Sequence, residues 1–164
     1  MPIAMTKKAI KKLLVDERKK QRSKQRNRSF MSRTRGIYTG QTNRMRKALG
    51  EEDLPVDERS ELSYTLEDLR ELCEEELQHP CRYCHGKLTV KNMTADHAEA
   101  LTHGGSWELK NLRIVCQHCN WCKGPMGEKE FVRLLAEAKT ILSPKSYANF
   151  TKRLIIGGKW LRGE

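Results

Sequence analysis

The stretch CRYCHGKLTVKNMTADHAEALTHGGSWELKNLRIVCQHCNWCKG, residues 81–124, decides the fold. It opens on Cys81 and Cys84 and closes around Cys116 and Cys119, with 31 residues between Cys84 and Cys116. A tight turn carrying Cys-x-x-Cys brings two thiolates to one ion, so two such turns supply the tetrahedral S₄ set that zinc takes at about 2.3 Å. Four thiolates leave no coordination position for water, which makes this Zn²⁺ structural: it fastens the ends of a loop-rich module, and its binding energy becomes folding energy. Cys122 makes a third Cys-x-x-Cys with Cys119 and could exchange with Cys116, but Ile114 and Val115 read as a strand running into Cys116, which favours the latter. His79, His85 and His118 flank the knuckles as substitute ligands.

Between the cysteine pairs, Leu88-Thr89-Val90 is a short β-prone run and Leu112–Val115 a second one. CNWCKG then opens a helix, so the order is strand, strand, helix, stapled by metal. Asp96 and His97 set an acid directly against an imidazole. Neighbours in a strand face opposite ways, so this pair should not share one packed face, and one member is left for other work.

These residues in this order resemble the HNH endonucleases, whose ββα-metal motif runs C-x-x-C, Asp-His, Gly-Gly, Asn, C-x-x-C-Asn and Lys-Gly. The resemblance covers Cys81 to Gly124, and the helix before it and Phe131 to Leu135 after it also look similar to small phage and bacterial members. It implies that Asp96 and Asn120 bind a catalytic divalent ion, that His97 is the general base and that Asn111 braces the loop. The chemistry of the residues agrees. A carboxylate and an amide oxygen make a hard, sparsely filled site that favours Mg²⁺ or Mn²⁺ and leaves room for waters and phosphate oxygens. An imidazole exchanges a proton with water near neutral pH.

Plainer readings stand beside these. The Asp-His pair could cap a helix end or salt-bridge with Arg113, Asn111 alone reads as a turn residue, and Asn120 could merely cap the helix after the knuckle. His103 reads as a surface histidine, Trp107 and Trp121 as packing around the motif, and Lys123 as a phosphate contact on a solvated face.

Outward from the motif, charge divides the chain. Residues 1–49 hold 16 Lys and Arg against 2 acids, whereas 51–79 hold 2 against 12. A basic arm attracts polyanions, nucleic acid above all. Residues 1–50 read as a basic arm with short helices: an apolar patch at Ile10, Leu13, Leu14 and Val15, aromatic residues interleaved with arginines around Phe30 and Tyr38, and a short helix over Gln41–Leu49 stopped by Gly50. Residues 51–64 read as an acidic linker, and 65–126 as the nuclease module with a leading helix. In that helix Thr65 is the N-cap, Asp68 completes its capping box, and Cys73 lies on the apolar stripe. Residues 127–164 read as two C-terminal helices parted by Ser143-Pro144, the last stopped by Gly157-Gly158.

The fold class expected is therefore α+β, a zinc-stapled ββα-metal module flanked by helices and a basic arm. No apolar run approaches the roughly 20 residues that span a bilayer, and the N-terminus lacks a signal-peptide apolar region, so a soluble, cytoplasmic protein with no membrane partner is expected. The function implied is a metal-dependent DNA endonuclease acting on double-stranded DNA. The rival is a zinc-dependent nucleic-acid-binding module without catalysis; a third reading places the enzyme in a phage or restriction assembly with a protein partner.

Overall fold

The computed structural model describes residues 7–161, with the side chains of Lys12 and residues 15–154. The chain order is helix α1 (Lys7–Leu49), helix α2 (Leu66–Glu76), strand β1 (Met93–His97), strand β2 (Leu112–Cys116), helix α3 (Gln117–Lys123), helix α4 (Glu128–Ile141) and helix α5 (Pro144–Leu161). The two strands form one antiparallel sheet, with Met93 opposite Cys116 and His97 opposite Leu112. This is a mixed helical fold around a small sheet, in keeping with the α+β expectation.

Where the sequence suggests an arm with short helices, the chain builds one helix of 43 residues. The basic stretch is rich in Lys, Arg and Gln, which are good helix formers, and contains no proline. From Phe30 onward a packing face continues through Thr34, Ile37, Tyr38, Gln41 and Met45 at helical spacing; Thr34, Gln41 and Met45 are buried. That face outweighs the roughly 1 kcal/mol that each of Gly36 and Gly40 costs inside a helix. Residues 15–29 remain exposed. Ile10, Leu13 and Leu14 lie outside the described side chains, and Val15 is exposed.

The acidic segment folds back on α1. Glu51 accepts from the Ser60 N–H and hydroxyl at 2.7 and 2.6 Å, Leu62 and Tyr64 are buried, and Tyr64 meets Tyr38 edge to face at 6.0 Å. Thr65 and Asp68 then form the expected capping box, and Leu69 and Cys73 of α2 enter the core with no exposure. Burial drives the Cys73 thiol up to about 12, as befits a small core residue.

The run Leu88-Thr89-Val90 forms a turn rather than a strand. Asn92 decides this: its side-chain oxygen accepts from the Thr89 N–H at 2.8 Å and its amide donates to the Lys87 carbonyl at 3.0 Å. Local side-chain bonds thus outcompete β propensity, and the strand starts at Met93, carrying the Asp-His pair inside it. Phe131 and Leu135 of α4 complete the core beside Met93, Ile114 and Val115, and each fully buried apolar side chain contributes about 2 kcal/mol. Helix α5 packs on α3, and the Cys122 thiol donates to the Thr151 carbonyl at 3.4 Å. Ser143 caps α5 through the Ser146 N–H, and the helix continues past Gly157-Gly158 to Leu161. Two glycines weaken a helix without obliging it to end. Among the described residues no helix is long and apolar enough to cross a membrane.

Candidate active site

The sulfurs of Cys81, Cys84, Cys116 and Cys119 lie within 4.8 Å of one another. Sulfurs at about 2.3 Å from a common tetrahedral centre sit about 3.8 Å apart, and the Cys84 and Cys116 sulfurs are separated by 3.8 Å. Backbone donors already face them: the Cys116 N–H points to the Cys81 sulfur and the Gly86 N–H to the Cys84 sulfur, both at 3.4 Å. Packed together, the four groups do not ionise independently. Hydrogen bonds from Cys116 and Cys119 pull the Cys81 thiol far down, and the same sharing pushes Cys119 far up. A divalent cation resolves that conflict, so the residues fit a structural metal such as zinc. Cys122 lies outside the cluster, and its thiol is raised to about 11 by burial.

Asp96 and His97 end β1, and Asn120 and Lys123 lie three residues apart on α3, hence on one helix face. All four line one cavity of about 280 Å³, closed on another side by Arg44 of α1. Contrary to the strand-alternation expectation, Asp96 and His97 are both buried and both reach this cavity. His97 is the last residue of the strand, where alternation no longer constrains it.

Asp96 is 5% exposed and has two side-chain donors: the Tyr83 hydroxyl at 3.0 Å on Oδ2 and the Lys123 ammonium at 3.2 Å on Oδ1. Burial raises its pKa, opposed by the Lys123 charge and by both hydrogen bonds. Each carboxylate oxygen keeps a second lone pair, so an added cation does not require either donor to leave. Asn120 donates its amide to the Ala95 carbonyl at 3.1 Å, leaving the amide oxygen as the atom that could meet a cation. A carboxylate and an amide oxygen on one cavity wall fit a hard divalent cation. His97 stands edge-on to Trp107 at 5.5 Å, and burial, then Arg44, then Lys123 push its pKa down to about 4, so the imidazole is neutral at physiological pH.

Asn111 lies outside the cavity, on the loop between the strands. Its side-chain oxygen accepts from the Glu99 N–H at 2.8 Å, its amide donates to the Glu99 and Ser106 carbonyls at 3.0 and 2.9 Å, and its own carbonyl accepts from Ala98. These bonds hold the chain that leaves His97. The Gly104-Gly105 turn is part of the same clasp: Gly104 takes φ +83°, and a Cβ at Gly105 would collide with the Glu99 carbonyl.

Three contacts escape the sequence. Arg113 pairs with Glu128 at 3.3 Å rather than with its cross-strand neighbour Asp96. Lys123 is 1% exposed, so it is no solvated phosphate contact; besides Asp96 it donates to the His97 carbonyl at 2.7 Å. Tyr83, between the first two knuckle cysteines, reaches Asp96 and also stacks edge-on with Phe131 at 5.2 Å. The three-residue spacing of Asn120 and Lys123 is a signal that could have placed Lys123 on the site; for Tyr83 and Arg44 no local signal exists.

Residues 81–136 match the family model of HNH endonucleases, which bears out the resemblance carried by Cys81–Gly124 and extends it into α4. No curated protein and no solved structure matches the chain. An HNH domain points to nuclease activity in general and to a nucleic-acid substrate.

Proposed function

We propose that this chain, whose residues 81–136 match the HNH endonuclease family model, is a metal-dependent DNA endonuclease that hydrolyses phosphodiester bonds. The observation that carries the reading is the convergence of Asp96, His97 and Asn120 on one cavity beside the four-cysteine cluster. Asp96 and Asn120 would hold Mg²⁺ or Mn²⁺, which supplies polarisation of the scissile phosphate and stabilises charge on the departing oxygen. His97 takes the proton from the attacking water. Trp107 against its edge and Lys123 on its carbonyl hold it in place, and the Asn111 clasp fixes the chain that follows. Cys81, Cys84, Cys116 and Cys119 would keep the module folded through Zn²⁺. The substrate is double-stranded DNA, with α3 laid on the minor groove and the exposed, basic stretch 15–29 of α1 adding affinity that falls steeply with salt.

The test is nicking of supercoiled plasmid in Mg²⁺ or Mn²⁺. His97→Ala should lower the rate by at least about a hundredfold, with folding and zinc content unchanged; undiminished cutting in that variant would remove His97 as base. One observation favours a second reading, a zinc-dependent nucleic-acid-binding module without catalysis: both Asp96 oxygens already have protein donors. DNA binding by the parent protein with no cleavage in any divalent ion would establish that alternative. A phage or restriction assembly partner remains a proposal that co-purification tests.

A further inference from the structure

A groove of about 640 Å³ runs between α1 and the β1 side of the module, and its α1 wall lies outside the segment that matches the HNH family. Its α1 wall includes Arg33, Gly36, Gly40, Gln41 and Arg44, and Lys91 faces them from the turn before β1. Gly36 and Gly40 stand one helical turn apart and open a trough: a Cβ at Gly36 would meet nothing, and one at Gly40 only the end of Arg44. Gln41 lines the same groove with no exposure, and neither its amide nitrogen nor its amide oxygen has a partner. A buried amide left unpaired forfeits its hydration without return, a loss that a ligand offering both donor and acceptor atoms removes. Arg44 and Ala95 line both this groove and the cavity of Asp96 and His97, so the two spaces adjoin.

We propose that this groove is the track for one DNA strand flanking the scissile phosphate, with the glycine trough admitting the backbone, Arg33, Arg44 and Lys91 facing its phosphates, and Gln41 bonding a sugar or base edge. The inference rests on the endonuclease reading and deepens it by placing α1 in the substrate site. From Ser29 to Arg44 the helix rises about 22 Å, long enough to flank a short run of one strand. Arg33 is partly committed, since two of its nitrogens donate to the Met93 carbonyl at 3.1 and 2.6 Å; that anchors α1 to β1 and keeps the groove at fixed width. Arg44 is exposed and stands at the junction, where it positions the strand as it enters the cavity.

Gly36→Leu and Gly36→Glu test this directly, because both replace a poor helix former at a position with free space. Each should leave thermal stability equal or higher. Binding is read by fluorescence anisotropy with a labelled duplex in the His97→Ala background, so that cutting does not interfere. Gly36→Glu is expected to weaken binding by about tenfold or more and Gly36→Leu by less, and Arg44→Ala should reduce the salt slope by about one unit. Gln41→Leu should raise stability while weakening binding. In otherwise wild-type protein, the Gly36 variants should raise KM with kcat nearly unchanged. Folded Gly36 variants that bind and cut as the parent does would overturn the groove assignment while leaving the nuclease intact. Loss of binding in these variants, from a parent that cuts nothing, would keep the groove and sink the endonuclease.

Discussion

Lys123 brings a cation into a position 1% exposed, against a carboxylate 5% exposed. Each charge alone would be costly there; together, and with Tyr83 and the His97 carbonyl completing their hydrogen bonds, they are tolerated. The pair also ties β1 to α3 at the residues that matter, since one ammonium holds both Asp96 and the backbone of His97. Lys123→Met keeps the volume but leaves Asp96 buried and unpaired, so it should lower unfolding free energy by about 3–5 kcal/mol, read from urea midpoints at neutral pH. A loss under about 1 kcal/mol would mean that the carboxyl is already protonated, the direction in which burial pushes it. The grouping of Asp96, His97 and Asn120 on one cavity was legible in the sequence, because residue type and order single them out. Tyr83 was not, because its bond to Asp96 spans 13 residues that only the fold closes, and Lys123 offered only its three-residue spacing from Asn120.

At the scale of elements, what sequence reveals depends on whether local or distant forces decide. The α2 capping box is local: Thr65 accepts from the Asp68 N–H at 3.2 Å, and Asp68 accepts from the Thr65 N–H at 2.7 Å. Thr65→Ala should therefore cost about 1 kcal/mol, measured as a shift in denaturant midpoint without change in slope. Asp68 lends this box a pH dependence, because bonds from the Thr65 backbone and then its side chain lower its pKa below 3.8. A carboxyl with a lowered folded pKa stabilises fully above 3.8 and loses that contribution as pH falls through the lower folded value. The penalty of Thr65→Ala should accordingly shrink in strong acid; a constant penalty would show that the side-chain half of the box contributes nothing. The strand over 88–90 and the helix break before Gln41 were misjudged for complementary reasons. At 88–90, the Asn92 turn overrode propensity; in α1, a packing face contributed by distant residues carried the helix across two glycines.

For the whole molecule, the four cysteines set the size of what can fold. Cys81, Cys116 and Cys119 are members of the hydrophobic core itself, packed with Met93, Val115 and Phe131, so the knuckle is not a peripheral clip. Around it α2 packs on β2 and on α1, and α3 on both strands and on α5. Structural zinc in such sites contributes about 10–16 kcal/mol, whereas a domain has about 5–15 kcal/mol in total. On those magnitudes the metal-free module is expected to lose its fold. Chelation at neutral pH should release one zinc per chain and unfold the module, seen as a shift in emission from Trp107, which packs against the core and His97. Cys84→Ser should purify with little or no zinc and show the unfolded spectrum. Cys122→Ser should keep full zinc and the native spectrum, because Cys122 stands apart and bonds Thr151 instead. A native, cooperative melt after complete chelation would mean that the core around Leu69, Ile114 and Phe131 suffices alone, and that the sulfurs are dispensable to folding.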